Sequence, residues 1–144
     1  MAETLRSVAI ERTGAQQYLV RNPRGGSLTI GSGGDADFTP VELLLAAIGG
    51  CSAIDVDMLT SRRAEPTQFA VTVTGHKIRD AAGDNHLEDI SAVFSVAFPE
   101  GEQGDAAREQ LPRAVQLSHD RLCTVSRTVE RPSPVTTTLA DPDR

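Results

Sequence analysis

Apolar and polar residues alternate in short blocks at the start of the chain. Runs over residues 4–11, 17–20 and 27–30 are separated by Thr13-Gly14 and by Arg24-Gly25-Gly26, which predicts a β-meander with glycine turns. Residues 31–37, Gly-Ser-Gly-Gly-Asp-Ala-Asp, are too small and polar to offset the entropy of ordering by burial, so a mobile loop is expected there. The pattern then changes abruptly. Leu43, Leu44, Leu45, Ala46, Ala47 and Ile48 leave no polar face, and Thr39-Pro40-Val41-Glu42 before them has the form of a capping box with proline at the first helical position. A helix over residues 40–62 is predicted, apolar all round in its first half and therefore enclosed by protein.

Period-two alternation returns over residues 68–77, with Phe69, Val71 and Val73 on one side, and over 90–98, with Ala92, Phe94, Val96 and Phe98. Both read as strands with one buried face, joined by a polar connection around residues 80–85. Residues 105–122 read as a second helix burying Ala106, Leu111, Val115 and Leu122, with Pro112 expected to kink it or to mark its true start near Leu111. Residues 124–139 are rich in Thr and Val and are expected to be β; residues 140–144 are expected to fray. The order βββ, long helix, ββ, helix, β is an α+β arrangement in a single domain spanning residues 1–144.

Length and composition narrow the functions available. The chain has 144 residues, a formal net charge of −6 and 3% aromatic residues. An acidic chain repels polyanions, and so few rings cannot build a base-stacking surface, so nucleic acid is not an expected partner. Arg6, Arg12, Arg21 and Arg24 are dispersed and read as solvated surface. The first residues, Met-Ala-Glu-Thr-Leu-Arg, lack the basic and apolar blocks of a secretory signal, so a reducing cytoplasm is expected, with both cysteines as thiols. Glu42, Asp55 and Asp57 interrupt the most apolar stretch, which argues against a membrane span.

Most catalytic motifs are missing. His76, His86 and His119 lie far apart in sequence and no paired Cys or His has metal-ligand spacing, so a zinc site is not expected. What remains is Cys51, in Gly49-Gly50-Cys51-Ser52, and Cys123, in Leu122-Cys123-Thr124-Val125-Ser126. Two glycines inside a helix cost about 1 kcal/mol each relative to alanine. Close helix packing around a small buried thiol offsets that cost in one reading; access of a substrate to an activated sulfur offsets it in the other. The residues alone leave both open, and the same holds for Cys123.

The string Pro40-x-Glu42-Leu43-Leu44-Leu45-Ala46-Ala47-x-Gly49-Gly50-Cys51-Ser52, with Leu122-Cys123-Thr124-Val125-Ser126 beyond an intervening ββα segment, resembles the OsmC/Ohr family of osmotically inducible and organic hydroperoxide resistance proteins. The Gly-Gly-Cys-Ser version looks most like a less characterised branch of that family. The resemblance implies an OsmC-like fold, two sheets around long buried central helices in an intertwined homodimer. It also implies a peroxidatic Cys51 that takes oxygen from an organic hydroperoxide, a resolving Cys123, an external dithiol as reductant and no cofactor.

The family's thiolate is held by an arginine from the N-terminal β-region, itself held by a glutamate directly after the helix-starting proline. Here Val41 occupies that position and Glu42 follows it. At about 100° per residue, Glu42 and Cys51 face opposite ways on a straight helix. Arg12 is the best positional match for the arginine, ahead of Arg21 and Arg24. Asp55, one turn beyond Cys51, either bonds a backbone or arginine partner or orients the cation in place of the missing glutamate. The alternative functions are a binding protein for a small apolar or fatty ligand and a redox sensor.

Overall fold

The structure, a computed structural model, describes residues 4–141. Backbone contacts gather the chain into two compact units, one ending at Ala46 and one beginning at Ala47.

In the first unit, β1 (Ala9–Gly14), β2 (Gln17–Arg21) and β3 (Ser27–Ile30) form an antiparallel sheet in that order. The meander predicted from the sequence is present, but its first strand begins at Ala9 and runs through Thr13-Gly14. The turn lies instead at Ala15-Gln16, where Gln16 takes a left-handed φ of 58°. That tight turn sets Ile10 opposite Val20 and Arg12 opposite Tyr18. Loop 31–37, expected to be loose, carries its own hydrogen bonds. Thr29 Oγ1 donates to Asp37 Oδ1 at 2.8 Å, Gln17 Nε2 to Asp35 Oδ2 at 3.1 Å, and the Asp37 N–H to Asp35 Oδ1 at 3.0 Å. The acidic residues that argued against burial serve as local acceptors.

Helix α1 (Pro40–Thr60) starts with the capping box the sequence announces. The Glu42 N–H donates to Thr39 Oγ1 at 3.2 Å and the Thr39 N–H donates to Glu42 Oε1 at 2.8 Å. From Ile48 onward, Ile48, Ser52, Val56 and Thr60 form a buried stripe. On the opposite side Leu44, Ile54 and Met58 are exposed, Ile54 at 63%. The first half was expected to be enclosed by protein; within one chain Ile48 is buried, Leu43 and Leu45 are half-buried, and Leu44, Ala46 and Ala47 are exposed. By length and composition α1 could also cross a membrane, but its buried stripe and the Asp55 hydrogen bond described below are those of a helix packed into a folded unit.

In the second unit, β4 (Gln68–Arg79) and β5 (Asn85–Ala97) form a long antiparallel hairpin. Phe69, Val71 and Val73 turn inward, and Phe69 meets Phe94 edge to face at 6.2 Å. A bulge near Thr74 and His76 is absorbed by Asp89, in a left-handed φ of 53°. Helix α2 (Glu102–Leu117) begins well before Pro112, which lies in its interior rather than at its start. Its buried face is Gly104, Ala107 and Ala114, while of the residues expected inside Ala106, Leu111 and Val115 are half-buried and Leu122 is exposed. Small side chains let α2 approach closely: a Cβ on Gly104 would collide with the Pro99 carbonyl.

After a π-helical turn (Ser118–Leu122), α3 (Thr124–Glu130) occupies the segment expected to be β. The Thr and Val residues that signalled a strand are overruled by local bonding. Cys123 caps the helix, Thr128 Oγ1 bonds back to the Thr124 carbonyl at 2.7 Å, and Pro132 and Pro134 follow the end. Residues 132–141 have no regular structure, and residues 142–144 of the expected frayed tail lie outside the described residues. Val56, Thr60, Ala107, Ala114, Ser118 and Cys123, none more than 2% exposed, form the centre of this unit.

Candidate functional site

Three sequence-predicted residues converge in the second unit. The sulfurs of Cys51 and Cys123 and a carboxylate oxygen of Asp55 all lie within 4.8 Å of one another. Cys51 and Asp55 project from successive turns of α1, as their spacing of four dictates. Cys123 arrives from a position 72 residues beyond Cys51, at the junction of the π-helical turn with α3. Cys51 is half-buried, Cys123 fully buried, and both are free thiols.

The two glycines before Cys51 separate into different cases. A Cβ on Gly49 would lie 2.5 Å from Val73 Cγ2, so this glycine is needed for α1 to lie against β4. A Cβ on Gly50 would meet nothing within 4 Å. Packing therefore accounts for Gly49 and leaves the Gly50 side of Cys51 open within one chain.

Hydrogen bonds fix each member of the cluster. Cys123 Sγ accepts the Ser126 N–H at 3.4 Å and its thiol donates to Ser126 Oγ at 3.2 Å. Ser118 Oγ donates to Asp55 Oδ2 at 2.9 Å and lies 3.0 Å from Ser52 Oγ. Sequence reasoning missed both serines, because a hydroxyl on a helix carries no spacing signal until its partner is known. Burial pushes the Cys51 thiol pKa up, and the Val125 and Thr124 backbone N–H groups pull against that shift; the neighbouring Cys123 adds to the rise. Among the described residues, no cation figures among the groups acting on this sulfur.

The remaining candidates lie in the first unit. Arg12 is an exposed residue of β1 opposite Tyr18, and Glu42 is committed to the capping box with Thr39. Arg21 pairs with Glu11 at 2.9 Å.

Next in sequence to Cys51, Ser52 lines a cavity of about 450 Å³ whose walls include neither cysteine. Ile48, Ile90, Phe94 and Val115 give it apolar walls, and Ser52 and Ser126, which bond to members of the cluster, are part of its lining. His119 and Glu130 stand at its polar side, with His119 Nε2 3.0 Å from Glu130 Oε1 and its Nδ1 3.1 Å from Asp120 Oδ1. Asp120 is the first cause of a raised His119 pKa, and Glu130 reinforces it.

Residues 32–138, which hold the whole of this arrangement, match the family described as OsmC-like protein. The chain belongs to the OsmC/Ohr family. An uncharacterised protein of Mycobacterium tuberculosis H37Rv is 32% identical over 134 residues, covering 92% of this chain and 94% of its own length. Among solved structures, an OsmC-like protein of unknown function from Vibrio cholerae superposes with a TM-score of 0.74 at 13% identity, over 88% of this chain and 94% of that one. The organic hydroperoxide resistance protein OhrB of Bacillus subtilis gives a TM-score of 0.53 at 13% identity, over 85% and 90% of the two chains. The α+β architecture expected from the sequence, with its two sheets and long α1, is thus an OsmC-like fold.

Proposed function

We propose that this protein is a thiol peroxidase that reduces organic hydroperoxides to alcohols, working as a homodimer in a reducing compartment. The supporting observation is the approach of the two sulfurs to within 4.8 Å, one half-buried and one enclosed. The Cys51 thiolate attacks the terminal oxygen of ROOH; the O–O bond breaks, the alkoxide takes a proton and leaves as ROH, and Cys51 becomes a sulfenic acid. Cys123 then attacks the Cys51 sulfur, hydroxide leaves and is protonated to water, and an intramolecular disulfide remains. An external dithiol reduces it and leaves as its own disulfide. The B. subtilis structural relative is named for organic hydroperoxide resistance, in agreement with this reading.

The thiolate needs a cation, for which Arg12 is the best positional match to the family's arginine, ahead of Arg21 and Arg24. Asp55 holds its place through Ser118 rather than through an arginine. Support for the homodimer is the apolar side of α1, with Leu44, Ile54 and Met58 exposed, together with Val135 and Leu139 in the irregular C-terminal segment, 89% and 99% exposed. Exposed large apolar side chains of this kind are what a second subunit would cover. Two observations favour a second reading, a binding protein for a small apolar ligand: the cavity lined by Ser52 and Ser126 has apolar walls, and burial raises the Cys51 thiol pKa.

The deciding experiment treats the reduced protein with an organic hydroperoxide. The peroxidase reading expects stoichiometric alcohol, loss of both thiols per chain without crosslinked dimers, and turnover when a dithiol is supplied. Intact peroxide with both thiols still titratable would exclude it. A ligand seen by native mass spectrometry under those conditions would favour the second reading.

A further inference from the structure

We propose that Cys51, Asp55 and Cys123 form a zinc site with an open fourth position. This inference does not depend on peroxidase activity. Tetrahedral zinc takes sulfur at about 2.3 Å and carboxylate oxygen at about 2.0–2.2 Å, which places its ligand atoms about 3.5–3.8 Å from one another. The three donor atoms here lie within 4.8 Å, so closing on an ion needs shifts of about 1 Å or less, the scale of a rotamer adjustment. No sequence spacing announces the set, because one ligand comes from a segment far from the other two.

The surroundings are those of a ligand shell. Ser118 Oγ donates to Asp55 Oδ2, which orients the carboxylate. The Ser126 N–H donates to Cys123 Sγ, and the Thr124 and Val125 N–H groups act on Cys51 Sγ in the sense that favours its anion. Backbone N–H groups on sulfur and a hydroxyl on the carboxylate are the outer contacts that steady metal ligands. Two thiolates and a carboxylate select zinc over the hard cations, which prefer oxygen alone.

The charge balance points the same way. Two thiolates and a carboxylate gathered within 4.8 Å of one another would repel. A divalent ion turns that liability into affinity. Binding replaces the Cys51 and Cys123 thiol protons, two protons leave for solvent, and the complex with Asp55 carries one net negative charge, with water in the fourth position. No electron is transferred. Zinc would cover both sulfurs, and a disulfide would remove two of the three ligands, so metal and oxidation exclude each other.

The test is an anaerobic titration of the reduced, chelator-treated full chain with Co²⁺. The expected result is one ion per chain, with a sulfur-to-cobalt charge-transfer band and the intense visible absorption of tetrahedral cobalt. Zinc should abolish both bands and protect both thiols from alkylation. Cys51→Ser and Cys123→Ser should each lose the charge-transfer intensity contributed by one sulfur, and Ser118→Ala should weaken binding by about 10–100-fold. Circular dichroism of each variant separates a lost ligand from a lost fold. A weak octahedral spectrum in the wild type, or binding unchanged in both folded cysteine variants, would overturn the site. Neither outcome bears on hydroperoxide consumption by metal-free protein, so the two proposals fail separately.

Discussion

Cys123 Sγ accepts the Ser126 N–H at 3.4 Å, and the sulfur stands where a serine or threonine hydroxyl usually caps a helix. The cap ties the thiol to the start of α3, so the backbone that holds Cys123 near Cys51 is the same backbone that the sulfur stabilises.

Replacing Cys123 with alanine removes the cap and leaves a fully buried gap, whereas serine keeps an acceptor at the same position. A lost cap costs about 0.5–2 kcal/mol. Chemical denaturation of the reduced protein should place Cys123→Ala lower than Cys123→Ser by a difference in that range. Equal midpoints would mean that the sulfur bond contributes nothing to α3.

Cys51 is held protonated by burial, with its pKa raised relative to an ordinary thiol. A raised folded-state value favours the neutral form in the folded protein. The stability it contributes is fully present below the unfolded thiol pKa and is lost as pH rises through the folded one. Melting temperature should therefore fall on the alkaline side more steeply in wild type than in Cys51→Ser. In the Cys123→Ser background, which leaves a single cysteine, alkylation should show a pH midpoint above that of a free thiol. A midpoint below it would mean that a cation reaches Cys51 in the assembled protein, and Arg12→Ala should then raise it.

The sequence carried the alternating strands, the capping box of α1 and the one-turn relation of Cys51 to Asp55, because each depends on neighbours within one element. The strand expected after Cys123 was misread for the opposite reason. β-branched composition favours a strand, but a sulfur cap and two closing prolines decide the segment in favour of α3. The buried face of α2 was misjudged: Gly104 is inside because the Pro99 carbonyl comes too close for any side chain, and Ala107 and Ala114 are buried with it. Ser118 was invisible as a member of the site because its value comes from Asp55, on another helix.

His119 is flanked by Asp120 and Glu130, and its pKa is raised, with the Asp120 hydrogen bond as the first cause. The protonated imidazole is favoured in the folded chain. Its stabilising contribution is full below the unfolded histidine pKa and disappears as pH rises through the folded value. The side chain is 59% exposed, so solvent screening keeps the effect small. NMR titration should find His119 above an ordinary imidazole, and Asp120→Asn should lower it more than Glu130→Gln. The reverse order would assign the shift to Glu130.

The Gly49-Gly50 pair offers a test of what covers α1. Alanine at either position gains about 1 kcal/mol of helix propensity. At Gly49 that gain meets Val73 Cγ2 at 2.5 Å, a stiff β-branched side chain that cannot swing away, and overpacking of this kind costs about 1–3 kcal/mol. Gly49→Ala should be neutral to destabilising by about 2 kcal/mol, the difference of those two terms. At Gly50 nothing lies within 4 Å in a single chain, so Gly50→Ala should stabilise an isolated protomer by about the full propensity gain. Denaturation across a range of protein concentrations distinguishes the cases. A stabilised Gly50→Ala with a concentration-independent midpoint describes a helix side facing water. A destabilised variant whose midpoint rises with concentration describes a second copy packed against Gly50, beside the half-buried sulfur of Cys51.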